Sequence, residues 1–187
     1  MDYTEQDIST MLAALHLSAA KHRNQRRKDA ESTPYINHPI EVADLLWRIG
    51  NVRDVGVIVA ALLHDIIEDT KTTPDEIESQ LGEAVLSLVL EVTDDKRLPK
   101  LERKRLQIEH APRLSEAAKQ IKLADKICNV RDVTDSPPKD WDDQRRREYL
   151  DWASRVVEGL RGSNQPLETL FDTVLKNGRK KLKLFSS

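Results

Sequence analysis

Apolar positions along this chain recur with a helical period, not a strand period. Ile8, Leu12, Leu15 and Ala19 fall three or four residues apart, predicting a first helix near residues 5–24 with those four on its buried face. His22 continues that face and is expected in the core or behind the site. A basic loop, RNQRRKDAESTPYINH, follows. Pro39 is expected to open a second helix that ends near Gly50. A third is expected from about Arg53 to Asp69. Thr73-Pro74-Asp75-Glu76 has the form of a capping box with proline at the first helical position, opening a short helix stopped by Gly82. Further helices are expected over 83–93, the basic stretch LERKRLQIEHA, 115–133, 142–160 and 165–177, with breaks at DDKRLPK and TDSPPKDW. The tail GRKKLKLFSS is expected to fray. No segment alternates with period two, and there is no internal repeat. The expectation is an all-α bundle of roughly eight to ten helices. It forms a single domain over residues 1–187, with a core at about 5–165 and a C-terminal helix and basic tail over 165–187.

Composition narrows the function. The chain has 187 residues, 39% hydrophobic and 33% charged, with a net charge of −2, so no global field favours nucleic acid. Its one cysteine, Cys128, excludes an internal disulfide and a cysteine-based zinc motif and is compatible with a cytoplasmic setting. The N-terminus is polar and acidic, unlike a signal peptide. The longest apolar run, Val55 to Leu63, is too short to span a membrane. No GxGxxG or P-loop pattern occurs.

The chemistry concentrates in ALLHDIIEDT. His64, Asp65, Glu68 and Asp69 follow directly on the apolar run with no Lys or Arg among them. On a continuous helix Glu68 lies about 40°, Asp65 about 100° and Asp69 about 140° from His64, so one polar arc would interrupt an apolar surface. Three carboxylates this close repel one another, and burying them unpaired would cost several kcal/mol each. A divalent cation removes that cost; a solvated acidic turn is the alternative. His38, before Pro39, is expected to be extended at a helix N-terminus, where its imidazole could serve as a ligand or simply as a surface group. Asp125 sits with Lys122, Lys126 and Asn129 on one arc of its helix, opposite Leu123, Ala124, Ile127, Cys128 and Val130. That arc reads either as a ligand-bearing edge or as a solvated Asp–Lys face. Two histidines and two aspartates suit Mn(II), Fe(II) or Zn(II) better than Mg or Ca. His16 and His110 read as surface residues, and Trp47, Trp141 and Trp152 as packing residues.

HRNQRRKD, TPYINHPIEVA, AALLHDIIEDT, EVTDDKRLPKLERKR and KLADKICNVRD, in this order, resemble the HD-domain phosphohydrolases. More narrowly they resemble the hydrolase domain of the RelA/SpoT family, in its stand-alone small alarmone hydrolase form. The resemblance covers about residues 10–165 and implies a helical fold around one Mn(II), with Zn or Fe as alternatives. By that resemblance His38, His64, Asp65 and Asp125 are the metal ligands. Glu68 and Asp69 serve the hydrolytic water. Arg27, Lys28, Asn129 and Tyr149 surround the nucleotide, and Lys100 contacts phosphate. The implied reaction removes pyrophosphate from the ribose 3′ position of ppGpp or pppGpp, giving GDP or GTP. The NADPH 2′-phosphate is a competing substrate. A metal-bearing module without turnover is disfavoured by the intact Glu68–Asp69 pair. Nucleic acid and membrane partners are not expected, and the length leaves no room for a synthetase domain. Cys128 and Val130 stand where the family usually has bulkier residues; if Cys128 bordered the base pocket, base selectivity would loosen.

Overall fold

A computed structural model describes residues 3–184. Among these residues it contains ten α-helices and one 3-10 turn, and the only extended pairing is an isolated bridge between Arg26 and Pro34. The helices are α1 (Glu5–His22), α2 (Asn37–Arg48), α3 (Val55–Leu63), α4 (Ile66–Asp69), α5 (Pro74–Leu81), α6 (Glu83–Val92), α7 (Lys100–His110), α8 (Glu116–Asp135), α9 (Asp143–Glu158) and α10 (Gln165–Leu184). The all-α expectation holds.

Local chemistry sets most of the boundaries. Thr4 and Asp7 form a reciprocal capping box on α1. Asp54 accepts from the N–H groups of Gly56 and Val57 at the start of α3. Thr73 accepts from the Glu76 N–H, Pro74 opens α5, and Gly82 ends it at φ 86°, a backbone conformation that costs glycine little. Ser115 and Asp142 cap α8 and α9.

The apolar run becomes the central helix. Val57 through Leu63 on α3 are all buried, and α3 packs against α1, α2, α6 and α8. Its C-terminal end therefore delivers His64 and Asp65 from the middle of the core. α8 lies across the same core, and α9 and α10 pack against it.

Four expectations need correction. The buried stripe of α1 is Ala14, Leu17, Ser18 and His22, while Ile8 and Leu12 are 49% and 60% exposed. Small Ala14 and Ser18, both fully buried, are what meets the core here. His38 is not extended: it lies within the first turn of α2, its N–H donating to Tyr35 O at 3.0 Å. Pro39 fits there because first-turn N–H groups lack intrahelical acceptors in any case. The expected helix 53–69 breaks at His64–Asp65. The Ala61 carbonyl is taken by the His64 ring at 2.8 Å, and Asp65 adopts φ −103°, ψ −2°. The C-terminal helix continues through Gly178, past its expected end at 177. A Cβ at Gly178 would sit 2.6 Å from Thr134 Oγ1, so this glycine permits close approach of α10 to α8. Leu182 beyond it is fully buried, so Gly178–Leu184 of the expected frayed tail is helical. Phe185–Ser187 lie outside the described residues.

Candidate metal and nucleotide site

Three elements converge at the end of α3. His38 comes from the first turn of α2, His64 and Asp65 from the break between α3 and α4, and Asp125 from the middle of α8. One ligand atom each from His38, His64 and Asp65 lies within 4.8 Å of the others. Asp125 stands just beside that group. Its Oδ1 is 3.2 Å from His38 Nε2 and 3.8 Å from His64 Nε2, while Asp65 Oδ2 is 3.7 and 3.1 Å from the same two nitrogens. Both histidines and Asp125 are buried.

The hydrogen bonds around these groups orient them. His64 Nδ1 lies 2.8 Å from the Ala61 carbonyl, an acceptor that places the proton on Nδ1. In the neutral ring Nε2 would then carry the lone pair offered to a cation; the atom is buried and has no hydrogen-bond partner. Asp125 Oδ2 accepts from Lys126 at 2.7 Å, and Asn129 donates to Oδ1. A buried imidazole nitrogen without a partner, beside two carboxylates, is what a divalent cation would satisfy. Two nitrogens and two carboxylates form a donor set that accommodates a first-row divalent metal.

Glu68 and Asp69 sit one turn beyond, at the cavity wall. Glu68 Oε2 accepts from the Asp94 N–H at 3.2 Å, and Oε1 faces Lys96 at 3.5 Å and Arg103 at 3.7 Å. Asp69 pairs with Lys96. The Tyr35 hydroxyl donates to Asp65 Oδ2 at 2.6 Å, with Asp69 Oδ2 3.0 Å away as a second acceptor. Tyr35 stacks on His22, ring centres 4.9 Å apart, and His22 Nδ1 is 2.6 Å from Gln25 Oε1. His22 is thus buried behind the site, as expected.

A cavity of about 280 Å³ joins these groups. His38, His64, Asp65, Glu68, Asp69, Asp125, Asn129, Tyr149 and Lys100 all line it. Arg27 and Lys28 do not; they line an adjoining cavity of about 360 Å³. The two cavities share Tyr35, Asp69, Asn129, Trp141 and Tyr149. Arg27 is held by an ion pair with Asp132 and lies 5.6 Å from the Tyr35 ring centre. Cys128 is buried in the hydrophobic core and lines neither cavity.

The HD-domain profile matches residues 14–152, a span containing every one of these side chains. This chain belongs to the HD-domain family. Among its relatives it is 55% identical over 166 residues to the guanosine-3′,5′-bis(diphosphate) 3′-pyrophosphohydrolase MESH1 of Xenopus tropicalis, covering 89% of this chain and 93% of that one. The human MESH1 of the same name is 52% identical over 170 residues, covering 91% and 95%. A solved structure, described as a metazoan orthologue of SpoT that hydrolyses ppGpp and plays a role in starvation responses, superposes with a TM-score of 0.90. It is 46% identical and covers 95% of this chain and 98% of its own. Resemblance to the RelA/SpoT hydrolases is therefore upheld, and membership implies a divalent-metal site.

Electrostatics in this HD domain follow from burial and proximity. Burial disfavours a charged His64, but Asp65 and Asp125 outweigh it and raise its pKa to about 9. Asp65 is held well below the usual carboxylate range: burial opposes ionisation, and His64 and His38 overcome it. Asp125 is likewise lowered, by Lys126 and His38 against burial. Glu68 moves the other way. Burial, then Asp94 and Asp65, raise its pKa against the Asp94 N–H and Lys96. Burial, with Asp65 and Asp69, keeps the Tyr35 hydroxyl protonated as a donor.

The HD-domain cavity carries five carboxylates (Asp65, Glu68, Asp69, Asp94, Asp125) and five side-chain cations (Lys100, Arg103, Lys104, Lys122, Lys126). Those carboxylates and cations largely offset one another, so most of the attraction for a polyanion would come from a bound divalent cation. Sequence reading assigned no role to Tyr35, Lys96 or Arg103. Tyr35 had a readable signal, three residues before His38 in YINH; the others lay within charged runs that also fit a solvated surface. The solvated Asp–Lys face is corrected: Asp125 and Lys126 are both buried. Trp47 is a packing residue, its ring beneath Arg53. Trp141 and Trp152 pack partly against the core but also wall the cavity. His16 and His110 are exposed, as expected.

Proposed function

We propose that this chain is a metal-dependent hydrolase that removes pyrophosphate from the ribose 3′ position of ppGpp, giving GDP, and of pppGpp, giving GTP. The supporting observation is the His38, His64, Asp65 and Asp125 cluster with Glu68 and Asp69 one turn away, in a chain more than half identical to relatives named for this reaction. The whole chain, 1–187, acts as one hydrolase domain in the cytoplasm, without nucleic acid or membrane partners. No helix among the described residues is long and apolar enough to cross a membrane.

His38, His64, Asp65 and Asp125 hold one divalent ion, Mn(II) in this reading, with Zn and Fe as competitors for the same donors. When bound, the ion lowers the pKa of water and offsets charge on phosphorus. Glu68, with its raised pKa, takes a proton from the attacking water. Asp69, fixed by Lys96 and Tyr35, orients that water. The water oxygen bonds to the phosphorus next to the ribose, the ribose 3′ oxygen–phosphorus bond breaks, and the 3′ oxygen gains a proton. Asn129 and Tyr149 line the nucleoside path, Arg27 and Lys28 meet the far end of the nucleotide, and Lys100 contacts phosphate.

The test is incubation of the protein with Mn(II) and ppGpp, with NADPH in parallel and a chelator control. Release of pyrophosphate and GDP, abolished by chelator, is expected. Phosphate release from NADPH alone would replace this substrate with the 2′-phosphate ester. No release from either by folded, metal-loaded protein would overturn the reading.

A further inference from the structure

The cavity's cations differ in what already holds them. Arg103 faces Glu68 at 3.7 Å, Lys122 faces Asp94 at 3.7 Å, and Lys126 pairs with Asp125 at 2.7 Å. Lys104 has no carboxylate oxygen within 4.0 Å among the described residues. Its ammonium rests instead on aromatic rings, 4.6 Å from the Trp152 centre and 5.5 Å from the Tyr149 centre. The Trp152 indole N–H donates to the Lys104 carbonyl at 3.0 Å, tying α9 to α7 at this level. A ring face attracts a cation without neutralising it. Lys104 is partly buried, and that burial, followed by neighbouring Lys100, lowers its pKa. It therefore presents to the cavity that holds the metal cluster a partly desolvated charge in contact with no carboxylate, Glu148 attracting it only from beyond ion-pair distance.

Lys100, one turn earlier on α7, also lacks a carboxylate partner, but its seat differs. It lies 5.9 Å from the Trp141 ring centre, and Trp141 lines both cavities. Trp152 lines the metal cavity and not the second one. Lys100 thus sits against a ring common to both cavities, whereas the ring nearest Lys104, Trp152, belongs to the metal cavity alone, although its second ring, Tyr149, is also shared.

We propose that Lys104, seated on Trp152, binds the distal phosphate of the 3′-pyrophosphate and holds that group as it departs. The proposal rests on the 3′-pyrophosphohydrolase reading and orients the substrate. The 3′ phosphorus under attack must lie at the candidate metal site. The nucleoside then passes Asn129 and Tyr149, which line both cavities, and its 5′ phosphates reach Arg27 and Lys28 in the second. The outer 3′ phosphate stays in the first cavity, where Lys104 is a cation no carboxylate has claimed. Trp152 is a positioning residue for it; Lys126, already held by Asp125, lies over the same ring at 5.1 Å.

Direct binding separates this from the catalytic reading. Metal-loaded protein is titrated calorimetrically with inorganic pyrophosphate and, separately, with GDP. Lys104→Gln should weaken pyrophosphate binding about tenfold and leave GDP binding within about twofold, and Lys104→Arg should restore most of the loss. Lys28→Gln should do the reverse, weakening GDP and sparing pyrophosphate. Trp152→Phe, which keeps a ring, should lose less pyrophosphate affinity than Trp152→Leu. Unchanged pyrophosphate affinity in Lys104→Gln would overturn the proposal, as would equal losses for pyrophosphate and GDP. Because affinity is read without turnover, failure to hydrolyse ppGpp would count against the proposed reaction and not against this subsite.

Discussion

The two ends of the cleft are built differently. At the metal end His38, His64 and Asp125 are buried, carried by helices that meet in the core, and each is tied to another protein group. At the outer end Arg27 and Lys28 come from the loop between α1 and α2, steadied by Arg27's pair with Asp132 and by the Lys28 carbonyl accepting from the Lys139 N–H. Burial makes the inner groups expensive unless something compensates for their charge, so their geometry is fixed and specific. Outer charges keep part of their hydration, so each contributes less and tolerates more change.

The largest expected effect tests the inner end. Asp65→Ala removes a carboxylate facing both histidines and should abolish bound metal, seen by elemental analysis, and lower turnover at least about a thousandfold. If metal and rate survive, the inner end is not a metal centre.

Next comes pH. With His64 protonated below about 9, a cation must displace that proton. Metal affinity should therefore rise about tenfold per pH unit between pH 7 and 9 and level off above, read by competition with a chelator of known affinity. The same raised pKa stabilises metal-free protein fully below the ordinary histidine value, and that contribution is lost as pH rises through about 9. Chelated protein should accordingly lose this part of its stability between pH 7 and 9.5 in thermal melts. A flat affinity profile would mean His64 is neutral without metal.

Tyr35→Phe sits between the two ends. It deletes the donor shared by Asp65 and Asp69, and should weaken metal binding and lower kcat each about tenfold, with the fold retained by circular dichroism. The smallest effect belongs to the outer end. Lys28→Ala should raise KM for ppGpp a few-fold with kcat nearly constant, by steady-state kinetics. A larger loss in kcat than in KM would show that the outer end shares in the chemistry.

The same contrast explains what could be read from sequence. His64, Asp65, Glu68 and Asp69 stood out as candidates because carboxylates attached to a nine-residue apolar run are anomalous, though a solvated acidic turn fitted the run as well. Completing the set with His38 and Asp125 needed the family resemblance, since a histidine before proline and an Asp–Lys arc each have ordinary explanations. Lys96, Arg103 and Lys104 were illegible as individuals because KRLPKLERKR looks the same facing water or a cleft; the packing of α7 on α9 decides for Arg103 and Lys104, and the pairs with Glu68 and Asp69 for Lys96. On the fold, period and caps located the helices, but faces and ends depended on partners. Ile8 and Leu12 matched the period yet lie outward, and the helix expected to end at 177 runs on through Gly178, where Thr134 leaves no room for a side chain. The break at His64 was hidden because the Ala61 carbonyl is claimed by a side chain, which a helical wheel does not represent.

The central claim is that HDIIED divides its labour, the first pair holding the ion and the second serving the water. The most direct measurement is the metal content of Glu68→Ala together with its rate of pyrophosphate release from ppGpp. One equivalent of metal per chain, with turnover lowered about a hundredfold or more, is the predicted result. Loss of the metal in this variant would make Glu68 a ligand and contradict the division.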